Sequence, residues 1–372
     1  MSRPVVLVAG GTGGHMFPAL SLAAELRARG RSAIIVCDAR GARYVGAEVE
    51  HRLVRAASPT GRLETRLRAL GQLGLGFGQS LRILREVRPA AVAAFGGYAA
   101  VPVGLAAALL RIPLLVHEQN AVLGRANRLI ARRAARLALS FAATRRAEHV
   151  PAARQVVTGN PVRAEVAALC DRPYRAPEPD EVVRVLVVGG SQGARIFSEV
   201  VPAAIARLSK PERARLALTQ QCRPEDLERV ASAYAGLGFE AELAAFFDDL
   251  PARMTKSHLI VSRAGASSVA EILALGRPAL LVPFRFAADD HQLANAEAVS
   301  RAGAGWLIEE TKLDAAALAD RLRVCLDEPQ QLNELAARAA GLGRTDAASA
   351  LADELLSLAA AAACNAQMEA LA

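Results

Sequence analysis

Twice in this chain a short, mostly apolar run stops at a cluster of glycines. Residues 5–9 (Val-Val-Leu-Val-Ala) lead into Gly10-Gly11-Thr12-Gly13-Gly14-His15, and residues 183–188 lead into Gly189-Gly190-Ser191-Gln192-Gly193. A strand-length apolar segment, a glycine turn and then helical spacing open a βα unit. Glycine in such a turn supplies positive φ and lets backbone N–H groups approach an anion at the helix N-terminus. Two such units about half a chain apart constrain the fold to two related domains. The length of 372 residues agrees, because single cores stop growing at roughly 250–300 residues.

Further strand-length runs at 33–36, 90–95, 114–117, 156–158, 216–219, 259–262 and 279–282 alternate with longer helical patterns. Runs this apolar are buried on both faces of a parallel sheet, with the helices as crossovers. The expected class is therefore α/β, with two doubly wound parallel-sheet domains. The division is an N-terminal domain over 1–163, a C-terminal domain over 164–345, and over 346–372 a helix and alanine-rich tail that packs back on the first domain. Three prolines and mixed charge at 171–181 place the linker there, since such a segment neither continues a helix nor fills a core. The tail from 357 onward is too poor in large apolar residues to dock firmly.

Charge narrows the partner. With 45 Lys+Arg against 37 Asp+Glu the net charge is +8, which favours nucleic acid, anionic lipid or a phosphorylated metabolite. Only 4% of residues are aromatic and the arginines are not interleaved with them, so stacking platforms for single strands are absent and nucleic acid is not expected. Cys37, Cys170, Cys222, Cys325 and Cys364 stand singly without C-x-x-C spacing, against a disulfide framework or zinc site and for a reducing compartment. No apolar leader precedes the first strand and no run of about 20 apolar residues follows, so the chain is expected neither secreted nor membrane-spanning.

Several motifs sit where the loops after the strands should gather. The first glycine cluster fails the dinucleotide pattern, because Gly11-x-Gly13 would require glycine at Met16, although Asp38 lies where a ribose-binding acid would stand. The P-loop pattern also fails for want of Gly-Lys-Ser/Thr. His15 is suited to take a proton near neutral pH, or is held by local backbone groups. Ser268-x-x-Glu271 matches a capping box, and Glu271 is alternatively a carboxylate for ribose hydroxyls. Asp289-Asp290-His291-Gln292 with Asn295 suits sugar hydroxyls or an ordinary polar loop. Leu63, Leu67, Leu70, Leu73, Phe77, Leu81 and Leu84 form a stripe with arginine margins, which either faces a core or lies on an anionic membrane. Gly71, Gly74, Gly76 and Gly78 weaken a rigid helix there. No D-x-D triplet occurs, so no metal is expected and a cationic or dipolar group is expected in its place.

Taken together, these residues resemble the MurG family, bacterial N-acetylglucosaminyltransferases that complete the lipid-linked peptidoglycan precursor. Its marks are Gly10 to His15, Gly96-Gly97-Tyr98, His117-Glu118-Gln119-Asn120, Gly159-Asn160-Pro161-Val162-Arg163, Gly189 to Ala194, Arg263-Ala264-Gly265-Ala266 and His291-Gln292. Leu250 departs from the methionine usual there, and the alanine-rich tail runs past the usual end.

The resemblance implies a GT-B fold, with two Rossmann-like domains facing a cleft, and no cofactor. It implies inverting transfer of GlcNAc from UDP-GlcNAc to the C4 hydroxyl of MurNAc in undecaprenyl-pyrophosphoryl-MurNAc-pentapeptide (lipid I), giving lipid II and UDP. Thr12, Gly13, Gly14, Asn120, Arg163 and Ser191 would contact the donor. Ala264, Gly265, Ala266, Ser267, Ser268 and Val269 would hold its phosphates, Glu271 the ribose, His291 and Gln292 the sugar, and Phe247 would pack by the uracil. Gly10, Gly11, Gly96, Gly97 and Tyr98 would cradle the acceptor, with His15 as base. Implied partners are UDP-GlcNAc, lipid I, the anionic cytoplasmic face of the bacterial membrane, to which the protein binds peripherally, and cell-wall and division proteins. The alternatives are another GT-B UDP-sugar transferase, a UDP-GlcNAc epimerase, or a nucleotide-binding scaffold without turnover.

Overall fold

A computed structural model of the chain describes residues 3–47, 49–59, 62–190 and 193–371. The chain forms two compact units, one running to Arg163 and including the stretch from Asp346 onward, the other covering Ala164–Thr345.

The first unit is built on a parallel sheet of seven strands: β1 (Val5–Val8), β2 (Ala33–Cys37), β3 (His51–Leu53), β4 (Val92–Ala94), β5 (Leu114–Glu118), β6 (Arg136–Leu139) and β7 (Gln155–Val157). Their spatial order is β3-β2-β1-β4-β5-β6-β7. Alternate residues of a strand leave the sheet on opposite sides, and both sides are covered. Val6, Val8, Val92 and Ala94 pack with Leu84, Val103 and Ile130. Val5, Leu7 and Ala93 pack on the other face with Met16, Leu22 and Leu26 of the helix Gly13–Ala28.

The C-terminal helix Ala347–Leu371 closes this second layer. Leu351, Ala352, Leu355 and Ala359 are buried there, and Arg29 bonds Ser349 Oγ at 2.6 Å and pairs with Asp353. The span Pro329–Cys364, which takes in most of this helix, is long and apolar enough by composition to cross a membrane, yet the face formed by Leu351, Ala352, Leu355 and Ala359 is core.

The helix Leu63–Val87 is continuous through its glycines. A Cβ on Gly76 would lie 2.0 Å from the Arg55 carbonyl oxygen, so glycine is what allows the helix to touch the chain leaving β3. The expected leucine stripe divides along its length. Leu84 is buried and Phe77 and Leu81 pack on the core, whereas Leu63, Leu67 and Leu70 are bare at 70%, 59% and 56% exposure.

The second unit carries a parallel sheet of β8 (Val183–Val188), β9 (Leu216–Gln221), β10 (Ala241–Ala244), β11 (Leu259–Ser262), β12 (Ala279–Leu281) and β13 (Trp306–Leu307), in the order β10-β9-β8-β11-β12-β13. The proline-rich segment 171–181, expected as the linker, is instead anchored on this unit. Tyr174 Oη donates to the His258 carbonyl at 3.1 Å, and the Arg277 guanidinium donates to the Arg172 carbonyl at 2.9 Å while lying over the Tyr174 ring. Tyr174 and Arg277 tie a largely exposed, irregular segment to the second unit, an anchorage that its composition does not announce.

Candidate active site

In an open parallel sheet, ligands bind beyond the strand C-termini at the point where the strand order reverses. In the first sheet that point lies between β1 and β4, and in the second between β8 and β11. The loops there are Gly10–His15 with Gly96–Tyr98 in the first unit, and Gly189–Gly193 with Arg263–Gly265 in the second. Both glycine clusters thus fall at switch points, as does the less conspicuous Arg263-Ala264-Gly265 turn.

In the first unit the two turns meet backbone to backbone. The Gly10 N–H donates to the Gly96 carbonyl at 3.2 Å, and a Cβ on Gly97 (φ 72°) would stand 2.7–3.0 Å from Gly10 backbone atoms. Asp38, the candidate ribose acid, is spent on structure: its carboxylate accepts the Gly11 N–H at 3.0 Å, the Gly41 N–H at 2.8 Å and Arg40 at 3.1 Å. That is why the turn keeps its shape without a dinucleotide fingerprint. Thr12 caps the helix Gly13–Ala28 in extended backbone without a side-chain bond. The N–H groups of Gly13 and Gly14 precede any intrahelical acceptor, at the positive end of the helix dipole.

His15 follows on the first turn of that helix, half-buried against Gly96. A Cβ on Gly96 (φ 93°) would lie 3.1 Å from His15 Cε1. His15 Nδ1 is 3.0 Å from Gln119 Oε1; Gln119 Nε2 is 3.0 Å from His117 Nδ1; His117 Nε2 is 2.9 Å from the Gly159 carbonyl. Burial pushes His117 down to about 4, and the nearby His15 adds to that, so its ring is neutral at pH 7. The Glu118 carboxylate is buried and accepts from the Asn120 N–H, Asn120 Nδ2, the Gly124 N–H and Asn127 Nδ2 at 2.8–3.0 Å. It orders the loop that carries Asn120. Arg163 lies over the Phe17 ring at 5.8 Å. Asn160 is buried with both amide atoms unbonded among the described residues, a polar group that calls for a water or a ligand.

In the second unit the helix Ala266–Ala274 starts after Gly265. That start corrects the capping-box reading: Ser268 is the third helical residue, not the cap, and Glu271 lies buried in the middle of the helix. The N–H groups of Ala266, Ser267 and Ser268 open the helix at the positive end of its dipole, where an anion is favoured, and Ser267 Oγ is buried without a bond among the described residues. Arg263 does not serve this site as a free charge. It pairs with Glu310 through both terminal guanidinium nitrogens at 3.0 and 3.2 Å and lies against the Phe197 and Phe284 rings. Burial opposes the charge on Glu310, but Arg263 and the Arg285 N–H hold its carboxyl below the usual range. Sequence reading missed this pair, because its partners stand 47 positions apart.

Before the helix His291–Arg301, Asp289 and Asp290 both adopt left-handed backbone, φ 53° and 54°. Strain of this kind, about 1–3 kcal/mol per residue, persists where the surroundings over-determine it and clusters at functional sites. It sets His291 at the helix start with Nδ1 2.6 Å from the Ala288 carbonyl. Gln292 Oε1 accepts the Phe284 N–H at 2.9 Å. Asn295, expected beside them on a sugar, is fully buried and donates to the Ala264 carbonyl at 3.0 Å; it fixes the Arg263–Gly265 turn from behind. Phe247 is buried beneath Arg253 at 4.4 Å, and its neighbour Phe246 is the exposed ring. Ser191 lies outside the described residues. Among the described residues no group of three His, Cys, Asp or Glu is placed to hold a metal ion.

Known proteins place this geometry. The glycosyltransferase family 28 N-terminal domain matches residues 5–139 and the family's C-terminal domain residues 184–351. The fold is GT-B, and the class is that of the family 28 glycosyltransferases. The chain is 51% identical over 298 residues to the UDP-N-acetylglucosamine–N-acetylmuramyl-(pentapeptide) pyrophosphoryl-undecaprenol N-acetylglucosamine transferase of Rhodospirillum centenum, spanning 80% of this chain and 79% of that one. It is 52% identical over 297 residues to the protein of the same name from Paramagnetospirillum magneticum, spanning 79% and 80%. The crystal structure of Acinetobacter baumannii MurG superposes with a TM-score of 0.78 at 27% identity over 95% of this chain and 99% of that chain. The chain belongs to the MurG family. A UDP-GlcNAc 2-epimerase from Neisseria meningitidis, at 15% identity and a TM-score of 0.67 over 95% of this chain and all of that one, shares the fold alone.

Proposed function

We propose that this chain transfers GlcNAc from UDP-GlcNAc to the C4 hydroxyl of MurNAc in undecaprenyl-pyrophosphoryl-MurNAc-pentapeptide, with inversion, giving lipid II and UDP. The observation that carries this reading is the 51% identity over 298 residues to a transferase of that printed name. The chemistry asks for two things. The acceptor hydroxyl must lose a proton as it attacks C1, and UDP must leave with its negative charge stabilised. His15 takes the proton. The N–H groups at the start of the helix Ala266–Ala274, Ser267 Oγ and Arg163 receive the leaving pyrophosphate. Glu271 serves the ribose, His291 and Gln292 the sugar, Phe247 the uracil, and Thr12, Gly13, Gly14, Asn120 and Ser191 complete the donor contacts. Gly10, Gly11, Gly96, Gly97 and Tyr98 cradle the acceptor's pyrophosphate.

The test is turnover of labelled UDP-GlcNAc with and without a lipid-linked MurNAc-pentapeptide. UDP and a disaccharide lipid are expected only when the acceptor is present. Epimerised donor, or UDP released equally without acceptor, would overturn the reading in favour of an epimerase or hydrolase.

The same reading places the chain peripherally on the cytoplasmic face of the bacterial membrane. Leu63, Leu67 and Leu70 are bare on one helix face, with Arg62, Arg66 and Arg68 exposed around them, as an anionic surface requires. Changing the three leucines to serine is expected to release the protein from vesicles containing anionic lipid while leaving its circular dichroism unchanged. Equal partitioning of variant and parent would refute it. Phe77 is left out of the variant, since it packs on the core.

A further inference from the structure

Gln119 has no part in the chemistry above, yet every polar atom of its side chain is committed. The starting point is the Gly159 carbonyl, which only accepts, so His117 Nε2, 2.9 Å away, carries a hydrogen. The His117 ring is neutral, as its burial dictates, and its Nδ1 is therefore a bare lone pair in need of a donor. The Gln119 amide nitrogen is that donor, at 3.0 Å, and it also donates to the His117 carbonyl at 3.1 Å. Both amide hydrogens are then used, which fixes the amide's orientation and turns Oε1 toward His15. An amide oxygen only accepts, so His15 Nδ1, 3.0 Å from it, carries the hydrogen. In the neutral His15 ring the lone pair is left on Nε2, which meets no partner among the described residues.

We propose that Gln119 is a positioning residue that holds His15 as its Nδ1–H tautomer, leaving Nε2 as the nitrogen able to take a proton, with His117 and the Gly159 carbonyl fixing the orientation of Gln119. This deepens the assignment of His15 as base and rests on it. The arrangement orients and does not conduct: a neutral amide between two imidazoles hands no proton onward. It extends the logic by which the third member of a hydrolytic triad sets a histidine tautomer, where reversing the preference costs about 10⁴ in kcat. The neighbours of the chain are themselves fixed. Asn127 Nδ2 donates to the His117 carbonyl at 3.1 Å, the Phe95 ring lies 5.4 Å from that of His117, and Gly96 leaves room for the edge of His15. The adjacent Glu118 carboxylate bonds to Asn120, Gly124 and Asn127, so its charge is engaged on its own loop.

The experiment reads the His15 ring by nitrogen NMR, assigned against His15→Ala, alongside kcat and KM in Gln119→Met and Gln119→Glu. The parent is expected to show a protonated Nδ1 and a bare Nε2. In Gln119→Met, which keeps length and loses all three side-chain hydrogen bonds, the proton is expected to redistribute toward Nε2. There kcat should fall about tenfold or more, part of the 10²–10⁴ a general base contributes, with KM for UDP-GlcNAc within about twofold. Gln119→Glu places a carboxylate against His15 Nδ1–H, so it should retain the parental tautomer and move the acid limb of kcat to higher pH. A His15 ring that stays Nδ1-protonated in Gln119→Met, or an acid limb unmoved in Gln119→Glu, overturns the proposal even where activity drops. A tautomer that responds as expected while His15→Ala keeps kcat within about fivefold leaves the positioning intact and removes the base assignment instead.

Discussion

Replacing His15 by alanine is expected to lower kcat by about 10²- to 10⁴-fold, the contribution of a well-placed general base, while KM for UDP-GlcNAc changes little. The separation of the two effects follows from where His15 sits. Its backbone N–H is bound to the Thr12 carbonyl at 3.1 Å, and alanine keeps that bond and favours helix. The glycine turn is held by Asp38 and by the Gly10–Gly96 backbone bond, neither of which uses the imidazole as a hydrogen-bond partner. The substitution therefore removes the ring from an otherwise unchanged cradle. The measurement is steady-state kinetics with a soluble lipid-linked acceptor, with thermal melting as the control for folding. A loss below about fivefold discards the assignment of His15 as base.

Much of this architecture is legible in the sequence, and the boundary of legibility is physical. The interior strands β1, β4, β5, β8, β11 and β12 are largely covered on both faces, so their residues are mostly apolar and read as near-continuous runs. β3, β10 and β13 lie at sheet edges, where nothing forces that pattern: all three residues of β3 are exposed, and none of β10 is fully buried. β6 is interior but follows Arg132 and Arg133 and is itself Arg-Leu-Ala-Leu, a spacing that suits a helix equally well. The leucine stripe at 63–84 has the right period throughout, and period alone does not report where a helix leaves its core. The site shows the same division. Glycine turns and His15 are visible because their chemistry is local, whereas the Arg263–Glu310 pair, the recruitment of Asp38 to the turn, and the His15–Gln119 bond each join segments far apart in the sequence.

Both units are expected to lose stability as the pH falls from about 6.5 to about 4, before most carboxylates titrate. Burial drives His117 in the first unit down to about 4, and burial followed by the facing Arg184 guanidinium drives His258 in the second unit to about 4. The other charges near His258 are Glu181, which works the opposite way, and Arg175 and Arg277, which add to the depression. A histidine whose folded value lies below its ordinary one, near 6.5, is protonated in the unfolded chain before it is in the folded chain. Between the two values the unfolded state binds more protons, so stability rises with pH and is lost on acidification. The gap corresponds to on the order of 3 kcal/mol per histidine at about 1.4 kcal/mol per decade of pH, a large share of the stability of an ordinary domain. Asp226 acts in the same sense, losing its contribution on acidification, but in a lower window. Its ion pairs with Arg223 and Arg229 hold it at about 2, so its contribution is complete above the ordinary value near 3.8 and fades only as the pH falls toward 2. The protein has a single tryptophan, and Trp306 lies in β13 of the second unit. Urea unfolding followed by its fluorescence therefore reports that unit. The midpoint is expected to drop between pH 7.5 and pH 5, and His258→Gln is expected to flatten the drop. A midpoint that is level across that range in the parent would show that His258 takes its proton as easily folded as unfolded, and the burial argument for the second unit would fail.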